Sequence, residues 1–197
     1  MEGGLPCNTT NSERYVMKSL QECIESRRSI RNYQDRPVDR ALIRELIRNA
    51  CMAPSGSNIQ PWEFIVADHV ELVREIVAFS PGIGYYPPCI LILCVDKDRA
   101  YKKGGVMGRD QLSVFDIAMA AENIMLSAVD FGLGTCAIRS FSSLILQKLL
   151  KIPEHIVPEL MITIGYPAKD SIKPPKRPVS ELLHFNSWGD RDAEDVV

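Results

Sequence analysis

The stretch CILILCV, residues 89 to 95, decides what kind of fold this sequence can adopt. Its residues are all apolar, so the strand that it predicts cannot leave either face in water. A run of this length is also far below the roughly 20 apolar residues that span a bilayer. The stretch therefore predicts a central strand in a sheet that is covered on both sides.

Predicted helices and strands alternate on both sides of this strand. Apolar residues recur at helical spacing in 112–131 and leave few polar positions, so this helix is either deeply buried or lies at a subunit interface. Asp39 is a suitable cap for the second helix. Further strands are expected at 62–66, 135–138 and 160–164, and further helices at 16–26, 42–50, 69–79 and 142–151. The order predicts one mixed α and β domain.

Composition narrows the class of protein. A chain of 197 residues with 46% apolar residues is long enough for one globular domain. Its 23 basic and 25 acidic residues give a net charge of −2, which predicts no general attraction to nucleic acid or membrane. Six cysteines without a CxxC pair are expected to be reduced, as in a cytoplasmic protein. Residues 1–15 are predicted to be a flexible tail, 16–189 the domain, and 190–197 an acidic tail.

The stretch RRSIRNY, residues 27 to 33, concentrates positive charge at the end of the first helix. A solvated basic turn is one interpretation, because cations favour a helix C-terminus. The other is an anion site, in which Arg27, Arg28 and Arg31 with the Ser29 hydroxyl donate charge-assisted hydrogen bonds to a phosphate. The stretch alone leaves both open.

Two further stretches carry polar groups at turns. In APSGSNIQPWEF, residues 53 to 64, the amides of Asn58 and Gln60 present donor and acceptor together, which suits the edge of a pyrimidine-like ring. In GLGTCAIRSF, residues 132 to 141, glycines stop a helix before a short strand. Both are equally compatible with ordinary connections. A GxGxxG dinucleotide fingerprint is rejected, because Ala137 stands where its third glycine would be.

Other chemistries have weaker support in the sequence. Cys136 with His69, His155 or His184 would form a nucleophilic pair only if the fold brought them together, and a structural thiol is favoured. The three scattered histidines have no metal-ligand spacing, so no metal site is predicted.

Taken in order, RRSIRNY, APSGSNIQPWEFIV, GLGTCAIRSF, and GYP followed by KPPKRPVSELLHFN resemble the FMN-dependent nitroreductase family over about residues 20–188. The resemblance implies an α+β, nitroreductase-like three-layer sandwich with a central, mainly antiparallel sheet flanked by helices. It further implies an intertwined homodimer with FMN at the interface, NADH or NADPH as electron donor, and a small-molecule acceptor. Residues 168–189 would form an arm that wraps the partner.

The resemblance also assigns roles to residues. Arg27, Arg28 and Ser29 would contact the phosphate and ribityl chain, and Arg31 would stabilise charge near N1 of the reduced flavin. The full implied cofactor-binding set is Arg27, Arg28, Ser29, Arg31, Ser55, Asn58, Gln60, Ile138, Arg139, Ser140, Lys176 and Arg177. No side chain acts as acid or nucleophile.

One residue departs from the family pattern, and one segment falls where relatives are often variable and mobile. Arg139 stands where many members have a small residue, which leaves the acceptor preference open. Residues 101–107, which contain Gly104 and Gly105, are expected to form a mobile lid or a surface loop.

The sequence thus predicts an FMN-dependent oxidoreductase that uses NAD(P)H to reduce nitroaromatic, quinone or related small acceptors by ping-pong hydride transfer. Alternatives within the fold are reductive dehalogenation, azoline oxidation and flavin fragmentation. A flavin-binding protein without turnover and a cysteine-dependent hydrolase are the alternatives from other classes.

Overall fold

The computed structural model describes residues 17–169 and 171–191, so the predicted N-terminal tail and most of the acidic tail lie outside the described residues. The helices are α1 Leu20–Ser26, α2 Arg40–Ala50, α3 Val70–Ala78, α4 Lys97–Met107, α5 Ser113–Asp130 and α6 Ser143–Leu150. The strands are β1 Trp62–Ala67, β2 Cys89–Asp96, β3 Gly134–Ile138 and β4 Ile156–Gly165. Short turns of other helix types occur at Gly56–Asn58, Gly108–Leu112 and Val179–Glu181.

The four strands form one antiparallel sheet in the order β1-β2-β4-β3. Strand β2 occupies an inner position, with Trp62 of β1 opposite Val95 and Ile164 of β4 opposite Cys89. Every residue from 89 to 95 is buried, as the apolar run predicts.

Helices cover both faces of this sheet. Because successive side chains of a strand point to opposite faces, Leu91 and Leu93 pack in the core with α2 and α5. Ile90 and Ile92 pack in a second core with α3 and α6. The arrangement has three layers, helices, sheet and helices, and the α+β three-layer prediction is confirmed.

Helix α5 has one buried and one exposed apolar face. Ile117, Ala120 and Ile124 pack into the core, whereas Phe115 is 64% exposed and Met119 36% exposed. The helical segment Lys97–Asp130, which includes α5, is long and apolar enough to cross a bilayer by length and composition alone. Its inner face packs on the sheet, which is the behaviour of a core helix.

The prediction of a surface loop at 101–107 is wrong, because these residues belong to α4, and a lid role for the segment stays a prediction. Gly105 has φ +60° and ψ −153°, which are not helical values, so the chain kinks there between two helical parts of α4. A Cβ added at Gly104 would lie 2.8 Å from the Ile59 Cδ1 atom. The paired glycines therefore allow α4 to bend and to pack closely against residue 59.

Side-chain caps fix where the first two helices begin. The Ser19 hydroxyl accepts from the Glu22 N–H at 3.2 Å and the Glu22 carboxylate accepts from the Ser19 N–H at 2.7 Å. This capping box starts α1 at Leu20 rather than at residue 16. Asp39 caps α2 by accepting from the Ala41 N–H at 2.8 Å, as predicted.

Candidate functional site

The arginine-rich turn is anchored on the edge of the sheet. Ser29 pairs with Thr135 of β3 in a parallel bridge, and the Ile30 N–H donates to the Thr135 carbonyl at 2.8 Å. A Cβ at Gly134 would lie 2.6 Å from the Ile30 Cγ1 atom, so only glycine admits the Ile30 side chain here. RRSIRNY and GLGTCAIRSF are thus neighbours in space.

Buried hydroxyl groups hold the arginine-rich turn in place. The Tyr33 hydroxyl donates to the Ile30 carbonyl at 2.7 Å and lies 2.8 Å from the Thr163 Oγ1 atom, which the Tyr85 hydroxyl also reaches at 3.1 Å. Burial raises the pKa of Tyr33 and raises that of Tyr85 to about 12. Both rings therefore remain neutral donors. The sequence alone assigned no functional role to Tyr33, so it missed this contact.

A cleft of about 170 Å³, here called the arginine cleft, opens beside the turn. Its lining residues are Arg27, Arg28, Ser29, Arg31, Ile172, Lys173, Pro174 and Lys176. Five of them are cationic and none is acidic. The fold therefore joins the first arginines to the late basic segment, and the charge of the cleft suits an anion.

The cations of the cleft differ in their existing partners. The Arg27 Nε atom lies 3.3 Å from a Glu122 carboxylate oxygen, and Arg28 Nε donates to the Ser171 hydroxyl at 2.7 Å. Lys173 donates to the Glu25 carbonyl. Within residues 17–169 and 171–191, no hydrogen bond or ion pair engages the side chains of Arg31 and Lys176.

Arg177 does not line this cleft. Its Nε atom lies 3.1 Å from a carboxylate oxygen of Glu181, one helical turn later, and both side chains are largely exposed. Lys176 lines the arginine cleft and Arg177 does not, and a role in binding phosphate stays a prediction for both residues.

The loop Ser55–Gln60 lies elsewhere on the chain, against α4 and α5. The Gln60 amide donates to the Asn58 Oδ1 atom at 2.6 Å, and the Ser55 hydroxyl accepts from the Gln60 N–H at 3.1 Å. Arg99 of α4 donates to the Ile59 carbonyl at 2.7 Å. None of these residues lines the arginine cleft, so a single chain does not unite the two predicted halves of the site.

A residue that the sequence interpretation missed supports this loop. Asp116 of α5 is 1% exposed, and its Oδ1 atom accepts from the Gly56 N–H at 2.9 Å. Its Oδ2 atom is buried and has no hydrogen-bond partner in the part of the chain that the structure describes. Burial raises the pKa of Asp116. The available signal was a lone carboxylate within an otherwise apolar stretch, FDIAMAA.

The segment Ile138–Ser140 ends β3. Ile138 is buried, and the Ser140 carbonyl accepts from the Gly82 N–H at 3.3 Å. The exposed Arg139 side chain extends to Glu159, with 3.4 Å between the nitrogen and oxygen atoms. These residues also lie outside the lining of the arginine cleft.

The alternative based on Cys136 gains no support from the geometry. Its side chain is 2% exposed, and the thiol lies 3.8 Å from the Ala137 carbonyl oxygen. A thiol in this position is a core residue, as the sequence favoured.

Comparison with known proteins decides the family. The model of the Nitroreductase family matches residues 24–80 and 81–166. The chain belongs to the nitroreductase family. This assignment confirms the resemblance in the motifs, the fold prediction and the prediction of an oxidoreductase.

Individual nitroreductase-family relatives match most of the chain. A Methanothermobacter thermautotrophicus protein assigned as an NADH dehydrogenase or NAD(P)H nitroreductase is 31% identical over 85% of this chain and 86% of its own length. A Bacillus subtilis protein named FMN reductase (NADPH) is 26% identical over 87% of this chain and 75% of that protein. The crystal structure of a Clostridium difficile nitroreductase family protein, 26% identical, has a TM-score of 0.75 and covers 87% of this chain and 99% of its own.

Proposed function

We propose that this protein is an FMN-dependent oxidoreductase that takes electrons from NADH or NADPH and passes them to nitroaromatic, quinone or related small acceptors. The observation that carries the proposal is the arginine cleft, whose described lining residues include five cations and no carboxylate. The name of the Bacillus subtilis relative, an FMN reductase (NADPH), supports the choice of cofactor and donor.

The donor set of the cleft fits a phosphate monoester. A phosphate offers three acceptor oxygens and close to two negative charges, which guanidinium and ammonium groups bind through charge-assisted hydrogen bonds. Arg31 and Lys176 have donors to spare, and Arg27, Arg28 and Ser29 line the same space. These residues would hold the phosphate end of FMN.

The loop Ser55–Gln60 fits the other end of the cofactor. Because Asn58 Oδ1 accepts from Gln60, the pair leaves the Asn58 amide N–H groups and the Gln60 carbonyl oxygen to face a ligand. A neighbouring donor and acceptor match the alternating carbonyl and N–H groups of a pyrimidine edge. Ser55 contributes by holding the Gln60 backbone.

A homodimer would bring the two ends together. The loop and the arginine cleft do not share a cavity within one chain, so the loop of one copy would complete the cleft of the other. Exposed apolar groups support such an interface: Phe115 on α5, and Ile172 and Trp188 in the arm, which are 94% and 90% exposed. Burial of these groups between two copies would stabilise the dimer.

When bound, FMN supplies two-electron transfer from the pyridine nucleotide to the acceptor, which bind in turn. The protein would hold the cofactor in position and provide the electrostatic field around it. Arg31, whose guanidinium has no partner among the described residues, would stabilise the negative charge of the reduced cofactor. Ile138, Arg139 and Ser140 would pass the reactive edge chiefly through their backbone, and no acid or nucleophile is needed.

The buried thiols of Cys23, Cys89, Cys94 and Cys136 are free, which is typical of a reducing compartment. We therefore place the enzyme in the cytoplasm.

Comparison of FMN with riboflavin tests the proposal, because riboflavin has the same ring without the phosphate. Two charge-assisted hydrogen bonds at about 1.5 kcal/mol each predict that riboflavin binds roughly one hundredfold more weakly. Added salt should narrow this difference. Equal affinities would show that the arginine cleft does not bind phosphate, and no binding of either flavin would refute the cofactor assignment.

A further inference from the structure

The loop Ser55–Gln60 holds a strained backbone. Ser57, Asn58 and Gln60 have φ values of +50°, +53° and +52°, in the left-handed region that non-glycine residues rarely adopt. Each such residue lowers the stability of the fold and persists only where its surroundings impose the conformation. Something outside the loop must therefore hold it.

Two helices supply that support. Gly56 sits directly on Leu112, since a Cβ at Gly56 would lie 2.8 Å from the Leu112 Cδ1 atom. One helical turn later, Asp116 accepts the Gly56 N–H at 2.9 Å. From the other side, Arg99 Nε donates to the carbonyls of Ile59 at 2.7 Å and Gln60 at 3.0 Å. The loop is therefore fixed immediately before its first left-handed residue, Ser57, and again at Ile59 and Gln60.

Burial of the Asp116 carboxyl group has a high free-energy cost for the single hydrogen bond that it accepts. Its carboxylate is removed from water, and one oxygen has no partner among the described residues. A buried carboxyl with only one of its oxygens hydrogen-bonded destabilises the fold relative to an apolar side chain of similar size. Residues that lower the stability of a fold in this way commonly occur at functional positions.

We propose that Asp116 is a positioning residue for the cofactor ring. By fixing Gly56, it holds Asn58 and Gln60 in the left-handed geometry that presents their amides to a pyrimidine edge. It touches neither cofactor nor substrate itself. The proposal rests on the function proposed above, because it assigns the loop to the flavin ring.

The test uses the full chain with Asp116→Ala, Asp116→Asn and a matched control, Asn123→Ala. Asn123 also lies on α5 and donates one hydrogen bond to a backbone carbonyl, that of Asn49 at 3.0 Å, away from the loop. Asp116→Asn keeps a carbonyl oxygen for the Gly56 N–H. Two quantities are measured: amide hydrogen exchange of residues 56–60 without cofactor, and the affinities for FMN and riboflavin.

Asp116→Ala should speed exchange in the loop and weaken the binding of both flavins by about tenfold or more. The ratio of FMN to riboflavin affinity should not change, because the phosphate contacts remain. Asp116→Asn should restore affinity to within a few-fold of the wild type, and Asn123→Ala should change neither exchange in the loop nor affinity.

Unchanged exchange or unchanged flavin affinity in Asp116→Ala overturns the positioning role, as does an equal loss in Asn123→Ala. A wild type that binds neither flavin overturns the proposed function instead, and the exchange data then still report whether Asp116 orders the loop.

Discussion

At the scale of single residues, the cations of the arginine cleft divide into those with internal partners and those without. Arg27 and Arg28 are tied to Glu122 and Ser171, which orients them but uses part of their donor capacity. Arg31 and Lys176 have no partner among the described residues and can give all of their donors to an anion. The two unengaged cations should therefore contribute most to phosphate affinity.

Replacement of Lys176 tests this division. Lys176→Ala should weaken FMN binding by about 1.5–3 kcal/mol, because a charge-assisted hydrogen bond is lost, and salt should narrow the effect. The matched variant is Arg177→Ala, whose guanidinium is exposed and paired with Glu181. Titration followed by flavin fluorescence measures the FMN affinity of both variants. A larger loss in Arg177→Ala would show that the phosphate lies further along the arm than the cleft.

The buried carboxyl of Asp116 should leave a signature in the dependence of stability on pH. Burial raises its pKa in the folded state, so its favourable contribution is complete below the unfolded-state pKa of about 3.9 and is lost as pH rises through the folded value. Asp116→Asn cannot ionise. The melting temperature of this variant should therefore rise relative to that of the wild type as the pH increases above about 4. A difference that stays constant over that range would contradict a raised pKa.

At the scale of elements, the sequence predicted what depends on local pattern. The run 89–95 is buried on both faces, and residues within the apolar, periodic stretch 112–131 form α5. Both features follow from the order of apolar and polar residues within the segment itself. The surface-loop prediction for 101–107 was wrong, because the two glycines form a kink between helical parts and leave room for contact with the Ile59 side chain. That contact joins distant segments and has no local signal.

The candidate site divides in the same way. The predicted binding roles of Arg31, Asn58 and Lys176 follow from the charge and hydrogen-bonding groups of these residue types. The fold brings Arg31 and Lys176 into one cleft. The sequence could not predict that Tyr33 supports the arginine-rich turn or that Asp116 supports the loop Ser55–Gln60. Both act through hydrogen bonds to residues that are distant in the chain or belong to another element. Their hydroxyl and carboxyl look like packing or surface groups in the sequence.

The docking of the arginine turn on β3 provides a test at this scale. Gly134→Ala should destabilise the fold by about 1–3 kcal/mol, because the added Cβ would collide with Ile30. Gly84→Ala is the control, since no atom lies within 4 Å of the Cβ built there. Chemical denaturation measures both free energies of unfolding. Equal values for the two variants would show that the turn is not packed on β3 as described.

At the scale of the whole molecule, the account requires two copies of the chain. Phe115→Glu places a charge on the exposed face of α5 and should shift the protein from dimer to monomer in sedimentation velocity. Phe79→Glu is a suitable control, because Phe79 is also about half exposed but follows α3 on the opposite layer. A wild-type protein that is monomeric, or a dimer that Phe115→Glu does not dissociate, would contradict a site in which the loop of one copy completes the arginine cleft of the other.

The most direct test of the central claim is an anaerobic titration of the FMN-loaded protein with NADH and with NADPH, followed by a nitroaromatic or quinone acceptor. The account predicts that at least one nucleotide bleaches the visible absorption of the oxidised flavin and that the acceptor restores it. A flavin that stays oxidised with both nucleotides would contradict an NAD(P)H-dependent oxidoreductase and would favour a flavin-binding protein without turnover.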